Sequence, residues 1–276
     1  MRRLVTVFLL LITLAVIWVS LTTLWLWRNQ ERVVWQPPWD APDAPPPARR
    51  VTFPAADGHA LFGYVLDAPT TGPSRVVIAF HGNADLSAWT APWAHELSER
   101  AGVTVFLPEY RGYAGIPGSP SYVNATSDAR GALAYVRDSL AASEIVIYGH
   151  SLGTAIGAEL AAHADASELR SLVLQSPFTS ARAMATRMMV PPVPGLWSRI
   201  SRVPYDTRSL VSRLDVPVFV AHGTRDFTIP VRMGREVFES AKRRGELLLV
   251  EGAGHNDVAD VAGERYWRWL VSAVSR

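Results

Sequence analysis

Short apolar runs alternate with helix-spaced segments along most of this chain, and that alternation leaves few architectures open. The runs are 76–80, 103–107, 144–148, 169–174, 216–221 and 247–250. They are rich in Val, Ile and Leu and lack polar alternation, as strands covered on both faces must. Between them, 88–100, 127–142, 152–164, 231–244 and 261–274 carry apolar residues at helical spacing. Strands alternating with helices predict an α/β fold, a mostly parallel sheet with helices on both faces. Ahead of the alternation, 51–66 holds two extended runs around Asp57-Gly58, a hairpin signal.

The N-terminus follows different rules. Residues 4–27 carry no charge. As a helix at about 1.5 Å per residue they reach about 36 Å, enough to cross a hydrocarbon core of about 30 Å with some tilt. Trp18, Trp25 and Trp27 crowd the C-terminal half, where indoles favour the membrane interface. A cleaved signal peptide would have a shorter apolar core and a small-residue cleavage site. This run instead ends in Leu24-Trp25-Leu26-Trp27-Arg28. We expect a retained anchor over 4–27, with the N-terminus inside and the bulk of the chain extracytoplasmic. Arg2 and Arg3 precede the span, while Arg28 and Arg32 follow it, so the positive-inside bias behind that orientation is small. Residues 28–50 are proline-rich from Gln36 onward and read as a semi-rigid spacer that holds the domain 51–276 off the bilayer.

Composition excludes several classes. The chain has no cysteine, so disulfides, thiolate metal sites and a cysteine nucleophile are absent. Net charge is +2 and Lys242 is the lone lysine, so no dense basic patch for nucleic acid exists. No His-Glu-x-x-His or Gly-x-x-x-x-Gly-Lys motif occurs, and neither a metal nor a cofactor is expected.

Three motifs fall at strand ends, in one order. Gly149-His-Ser-Leu-Gly153 follows the run ending at Tyr148 and opens a helix, which places Ser151 on a sharp turn with its hydroxyl exposed. His222-Gly-Thr-Arg-Asp226 follows a buried run, so Asp226 can orient a base. Gly252-Ala-Gly-His255 follows the last run and can carry His255 back to Ser151. Ser151, Asp226 and His255 are thus the candidate nucleophile, orienting acid and general base. Asp206 and Asp257 are rivals for the acid, but neither directly follows a strand end. His81-Gly-Asn-Ala84 follows the run 76–80, and the backbone amides of Asn83 and Leu152 are the candidate oxyanion donors. His81 and His222 read as loop-ordering hydrogen bonders. His150 is expected to point away from the nucleophile, and His59, His95 and His163 to lie at the surface. The segment 177–214 breaks the alternation and reads as a small lid. Its Met184, Met188, Met189 and Trp197 either line an apolar acyl pocket or pack the insertion onto its own domain.

With these residues in place, the chain resembles the membrane-anchored α/β-hydrolases of the Bem46 group, related to the ABHD12 and ABHD13 type. The resemblance rests on His81-Gly-Asn-Ala, Tyr110-Arg-Gly-Tyr-Ala-Gly with Gly118-Ser-Pro-Ser, Tyr148-Gly-His-Ser-Leu-Gly, Ser176-Pro-Phe-Thr-Ser, His222-Gly-Thr-Arg-Asp with Ile229-Pro, and Gly254-His-Asn-Asp. Glu109 stands where relatives often have Asp. The resemblance implies an α/β-hydrolase fold and a serine hydrolase acting on ester-type bonds of a small-molecule or lipid acyl substrate, held to the bilayer by its N-terminal helix. Peptide or amide hydrolysis on the same residues, or a non-catalytic membrane tether, are the alternatives.

Overall fold

A computed structural model describes residues 2–38, 40, 42–69, 74–188, 195, 201, 203 and 205–275. Helix α1 (Arg2–Val34) covers the uncharged run and continues past it, with a kink at Asn29. It is long and apolar enough to cross a membrane, and its most apolar stretch is not buried in the protein at all. Proline at 37 and 38 forbids further helix, because proline lacks the N–H and restricts the residue before it.

The spacer expectation fails for its first part. Trp35 is only 3% exposed and its ring meets Tyr110 and Tyr113 edge-on at 6.2 and 6.3 Å. The carbonyl of Pro38 accepts a hydrogen bond from the Ala114 amide at 3.0 Å. The physical reason is aromatic burial: each edge-on pair of rings is worth about 0.5–1.5 kcal/mol beyond the area it buries. Helix α1 therefore ends against the domain rather than on a stalk.

Strands β1 (Arg49–Pro54) and β2 (Ala60–Leu66) form the expected antiparallel hairpin. After them come β3 (Arg75–Phe80), β4 (Thr104–Pro108), β5 (Glu144–His150), β6 (Leu169–Gln175), β7 (Val218–Gly223) and β8 (Arg244–Val250). The eight strands lie in one sheet in the order β1-β2-β4-β3-β5-β6-β7-β8. Pairing is antiparallel from β1 to β4 and parallel from β4 through β8. The centre of the sheet is sealed on both faces: Val76 to Phe80 and Ile145 to Tyr148 are all buried.

The helices are α2 (Ser87–Ala101), α3 (Tyr122–Asp138), α4 (Leu152–His163), α5 (Ala181–Met188), α6 (Thr207–Val211), α7 (Val231–Ser240), α8 (Val258–Ala262) and α9 (Glu264–Ser275). Helix α3 begins earlier than its apolar spacing implies, because the Ser121 hydroxyl caps it by accepting from the Asn124 amide at 3.1 Å. The final helical stretch divides in two at Gly263, whose φ of 53° no continuous helix tolerates. In the segment expected as a lid, Met184 packs against the hydrophobic core. The Met188 side chain, Met189, Pro191, Pro192, Pro194, Trp197 and Pro204 lie outside the described residues.

Candidate active site

The parallel strands all end on one side of the sheet, where ligand sites of open α/β sheets form. Strand β3 delivers the loop His81–Asp85, β5 delivers Ser151, β7 the loop bearing Asp226 and β8 the loop bearing His255. Ser151 sits between β5 and α4 with φ 52° and ψ −116°. A non-glycine residue rarely adopts a positive φ, and such strain is held only where the surroundings enforce it. Two glycines provide the enforcement. A Cβ on Gly149 would meet the Gly153 carbonyl oxygen at 2.4 Å, and one on Gly153 would meet the Phe80 carbonyl oxygen at 2.2 Å. Backbone on backbone at that distance means α4 crosses β5 and β3 as closely as chains can.

Sequence placed Ser151, His255 and Asp226 as candidates, and the fold brings the three together. Ser151 Oγ lies 2.9 Å from His255 Nε2. His255 Nδ1 lies 2.7 Å from Asp226 Oδ2. A carboxylate only accepts, so Nδ1 carries the proton and donates, which leaves Nε2 to accept from the serine hydroxyl. Asp226 Oδ1 accepts from the Thr228 and Ile229 amides at 2.9 and 2.8 Å. His222 approaches Oδ2 at 3.2 Å. Burial alone would raise the Asp226 pKa, but hydrogen bonds from His222 and His255 outweigh it and hold the carboxyl well below its usual range. The rivals are engaged elsewhere: Asp206 caps α6 through the Ser209 amide at 3.0 Å, and Asp257 accepts from the Gly254 amide at 2.6 Å.

The amides of Asn83 and Leu152 make no hydrogen bond to the protein among the described residues. Leu152 is the first residue of α4, where the N–H has no helical partner and the helix field favours negative charge. Under the Asn83 loop, His81 donates from Nε2 to Glu109 Oε1 at 2.8 Å and from Nδ1 to the Gly82 carbonyl at 2.8 Å. The buried ring is thus held between the Glu109 carboxyl and the Gly82 carbonyl. The Glu109 charge overcomes the burial cost and raises the His81 pKa. Glu109 Oε2 also accepts from the Ser87 amide and hydroxyl at 3.0 and 2.7 Å. Sequence reading noted Glu109 only as a departure. An acid directly after a buried strand, beside a strand followed at once by histidine, was the available signal.

His150 does not turn away from the nucleophile. Its ring lies 5.2 Å from the His255 ring, and its Nε2 faces the His255 carbonyl at 3.3 Å. Burial, then repulsion from His255, pushes its pKa down to about 4. The folded state therefore binds fewer protons than the unfolded chain between about pH 6.5 and about 4, and stability falls as pH drops through that window. From pH 8 to pH 5 this one group costs about 2 kcal/mol. Urea unfolding at both pH values should show that loss in the wild type and its absence in His150→Gln. Equal acid sensitivity of the two would contradict the assignment.

The Ser151–His255 pair opens into a cleft of about 710 Å³. Its walls include Trp89 and Trp93 of α2, Tyr148, Gln175 and, unexpectedly, Gln36 from just beyond α1. Beneath lies a polar network: Trp93 Nε1 donates to the Tyr266 hydroxyl at 3.1 Å, and the Tyr266 and Tyr148 hydroxyls donate to Gln175 Oε1 at 2.8 and 3.0 Å. Ser176, with φ 52°, donates its hydroxyl toward the His255 carbonyl at 3.4 Å and steadies that loop. Among the described residues no group of three or more His, Cys, Asp or Glu side chains is arranged to hold a metal ion.

Known proteins share this arrangement of chain. A family model described as alpha/beta hydrolase fold matches residues 75–200. The esterase Pf2001 of Pyrococcus furiosus superposes with a TM-score of 0.68 at 19% identity, covering 87% of this chain and 96% of that one. The chain has the α/β-hydrolase fold. In sequence, this α/β-hydrolase-fold protein is 28% identical over 262 residues to the uncharacterized protein Rv2307c of Mycobacterium tuberculosis, covering 92% of this chain and 88% of that protein. It is 31% identical over 180 residues to alpha/beta hydrolase domain-containing protein 17B of Xenopus laevis, covering 64% of this chain and 59% of that protein.

Proposed function

We propose that the chain is a membrane-anchored serine hydrolase of the Bem46-like kind, cleaving acyl esters, with lipid esters as the substrate class. The observation that carries this reading is the continuous relay Ser151 Oγ–His255–Asp226, at 2.9 and 2.7 Å, on a strained turn at the mouth of a cleft. His255 Nε2 takes the hydroxyl proton as Ser151 Oγ bonds to the ester carbonyl carbon. The carbonyl π pair moves onto oxygen, where the Asn83 and Leu152 amides receive it; such donors are worth about 2.7–4 kcal/mol each. The carbonyl re-forms, the C–O bond breaks, and His255 returns the proton to the departing alcohol. Water, deprotonated by His255, then releases the acid from the acyl-enzyme by the same steps in reverse.

Lipid substrates are favoured by geometry at the anchor. From Arg28, where the apolar run ends, to Val34, the last residue of α1, the helix rises about 9 Å, and Gln36, two residues on, lines the cleft. The mouth is thereby tethered close to the bilayer surface. The name esterase borne by the superposing Pf2001 agrees with ester chemistry. The domain lies on the extracytoplasmic side in this reading, with Arg2 and Arg3 inside.

Assay in mixed micelles over a series of acyl-chain lengths tests the substrate class. Burial of about 0.8 kcal/mol per methylene predicts kcat/KM rising up to about fourfold per added CH₂ until the cleft is filled. Efficient cleavage of short soluble esters with none of long-chain ones would overturn the lipid assignment.

A further inference from the structure

The segment that joins the anchor to the domain is stitched to the loop that holds the proposed oxyanion donor. Asn83 makes the stitch with its side chain. Its Nδ2 donates to the Val34 carbonyl at 2.6 Å. Its Oδ1 accepts from the Gln36 amide at 2.9 Å and from the Tyr113 hydroxyl at 2.8 Å. The orientation of this amide is unambiguous: a backbone N–H can only donate and a backbone C=O can only accept, so oxygen must face Gln36 and nitrogen must face Val34. Val34 is the last residue of α1, and its carbonyl is among those a helix end leaves without an intrahelical partner. Asn83 is thus a cap supplied to the membrane helix by the active-site loop.

The neighbouring contacts hold that cap in place. Trp35 is buried against Tyr110 and Tyr113, and its Nε1 donates to Glu31 Oε2 at 3.1 Å. Tyr110 closes the circuit from below, its hydroxyl donating to the His81 carbonyl at 2.9 Å. The loop from His81 to Asp85 is therefore fixed on one side by Glu109 and on the other by the juxtamembrane backbone. A backbone amide aimed at an oxyanion gains its effect from being held in place beforehand. Part of what holds this one belongs to residues 34–36, outside the domain 51–276 as sequence would divide it.

We infer that the juxtamembrane segment Val34-Trp35-Gln36 is a working part of the catalytic centre, with Asn83 as the positioning residue that couples the end of the membrane anchor to the oxyanion-holding loop. The coupling rests on the serine-hydrolase reading above. It makes catalysis sensitive to how the anchor sits: undocking the segment frees the loop without touching Ser151, His255 or Asp226.

The test uses the full-length chain in detergent micelles, a short-chain nitrophenyl ester and a trifluoromethyl ketone, which Ser151 converts into a tetrahedral oxyanion adduct. Asn83→Ala, Asn83→Asp and Trp35→Ala are compared with the wild type and with Ser151→Ala. A misplacement of about 1 Å costs about 10²-fold, and kcat should fall by up to that factor, with KM changed by less than about threefold. Ketone affinity should fall in proportion to kcat/KM, because both report the oxyanion. Asn83→Asp should not rescue, since a carboxylate cannot donate to the Val34 carbonyl. Asn83→Ala combined with Trp35→Ala should cost little more than either alone, since both release one segment. Should Asn83→Ala fail to fold, Trp35→Ala decides the matter, because Trp35 precedes the domain. Folded variants with kcat and ketone affinity within about twofold of wild type would overturn the inference while leaving the hydrolase reading intact. An active Ser151→Ala would overturn the reading beneath it.

Discussion

Ser151→Ala is expected to lower kcat for an acyl ester by about 10⁶-fold while leaving the fold unchanged. The relay explains the size. Oγ is the atom proposed to form the covalent bond, and His255 Nε2 lies 2.9 Å away to take its proton. The hydroxyl is also not holding the elbow together. The strained turn is fixed by backbone, through the Ser151 amide bonded to the Gln175 carbonyl at 3.0 Å and the Thr154 amide bonded to the Ser151 carbonyl at 3.0 Å. Removal of Oγ therefore subtracts chemistry and not structure. Turnover of a nitrophenyl ester in micelles, beside a thermal unfolding scan, checks both halves. Residual activity within about tenfold of wild type would exclude Ser151 as nucleophile.

Gly153→Ala should be the most damaging single methyl in the domain. Its Cβ would lie 2.2 Å from the Phe80 carbonyl oxygen and 2.7 Å from that of His81. Neither atom can swing aside, since both belong to the exit of β3. The helix must back away from the sheet, opening the core around Ile147 and Leu172 and dragging Ser151 with it. We expect a loss above about 4 kcal/mol, the range reserved for core overpacking and broken backbone geometry. Gly157→Ala, on the same helix, is the control. Its Cβ meets the Ile147 methyl Cγ2 at 2.9 Å, a side-chain contact that can shift, so a smaller loss follows. Chemical unfolding of the two variants ranks them. A Gly153→Ala protein within about 1 kcal/mol of wild type would mean that the elbow is not tightly packed.

The fold was legible because its strongest signals are local. Unbroken Val, Ile and Leu runs can only be strands sealed on both faces, and glycine around a serine at a strand–helix junction fixes a sharp turn. The histidine and aspartate motifs were legible for the same reason, each sitting one loop beyond a buried strand. Contacts between distant segments were not. Gln36 and Asn83 are far apart in sequence and neither has an unusual neighbour, so nothing local announces that the spacer docks on the active-site loop. Trp35, an aromatic standing beyond the polar stretch 28–32, was an available hint. His150 misled for a related reason. Alternation along β5 places its side chain on the face opposite that of the next residue, Ser151, but the position of His255 depends on a loop from β8 that periodicity does not reach.

Fluorophosphonate labelling of the detergent-extracted protein tests most directly whether Ser151 is an activated serine. Oγ attack on phosphorus expels fluoride and leaves a stable adduct. The relay predicts labelling of folded wild type on the peptide that contains Ser151, and none in Ser151→Ala. A folded wild type that takes no label, or a Ser151→Ala protein that still does, would contradict it.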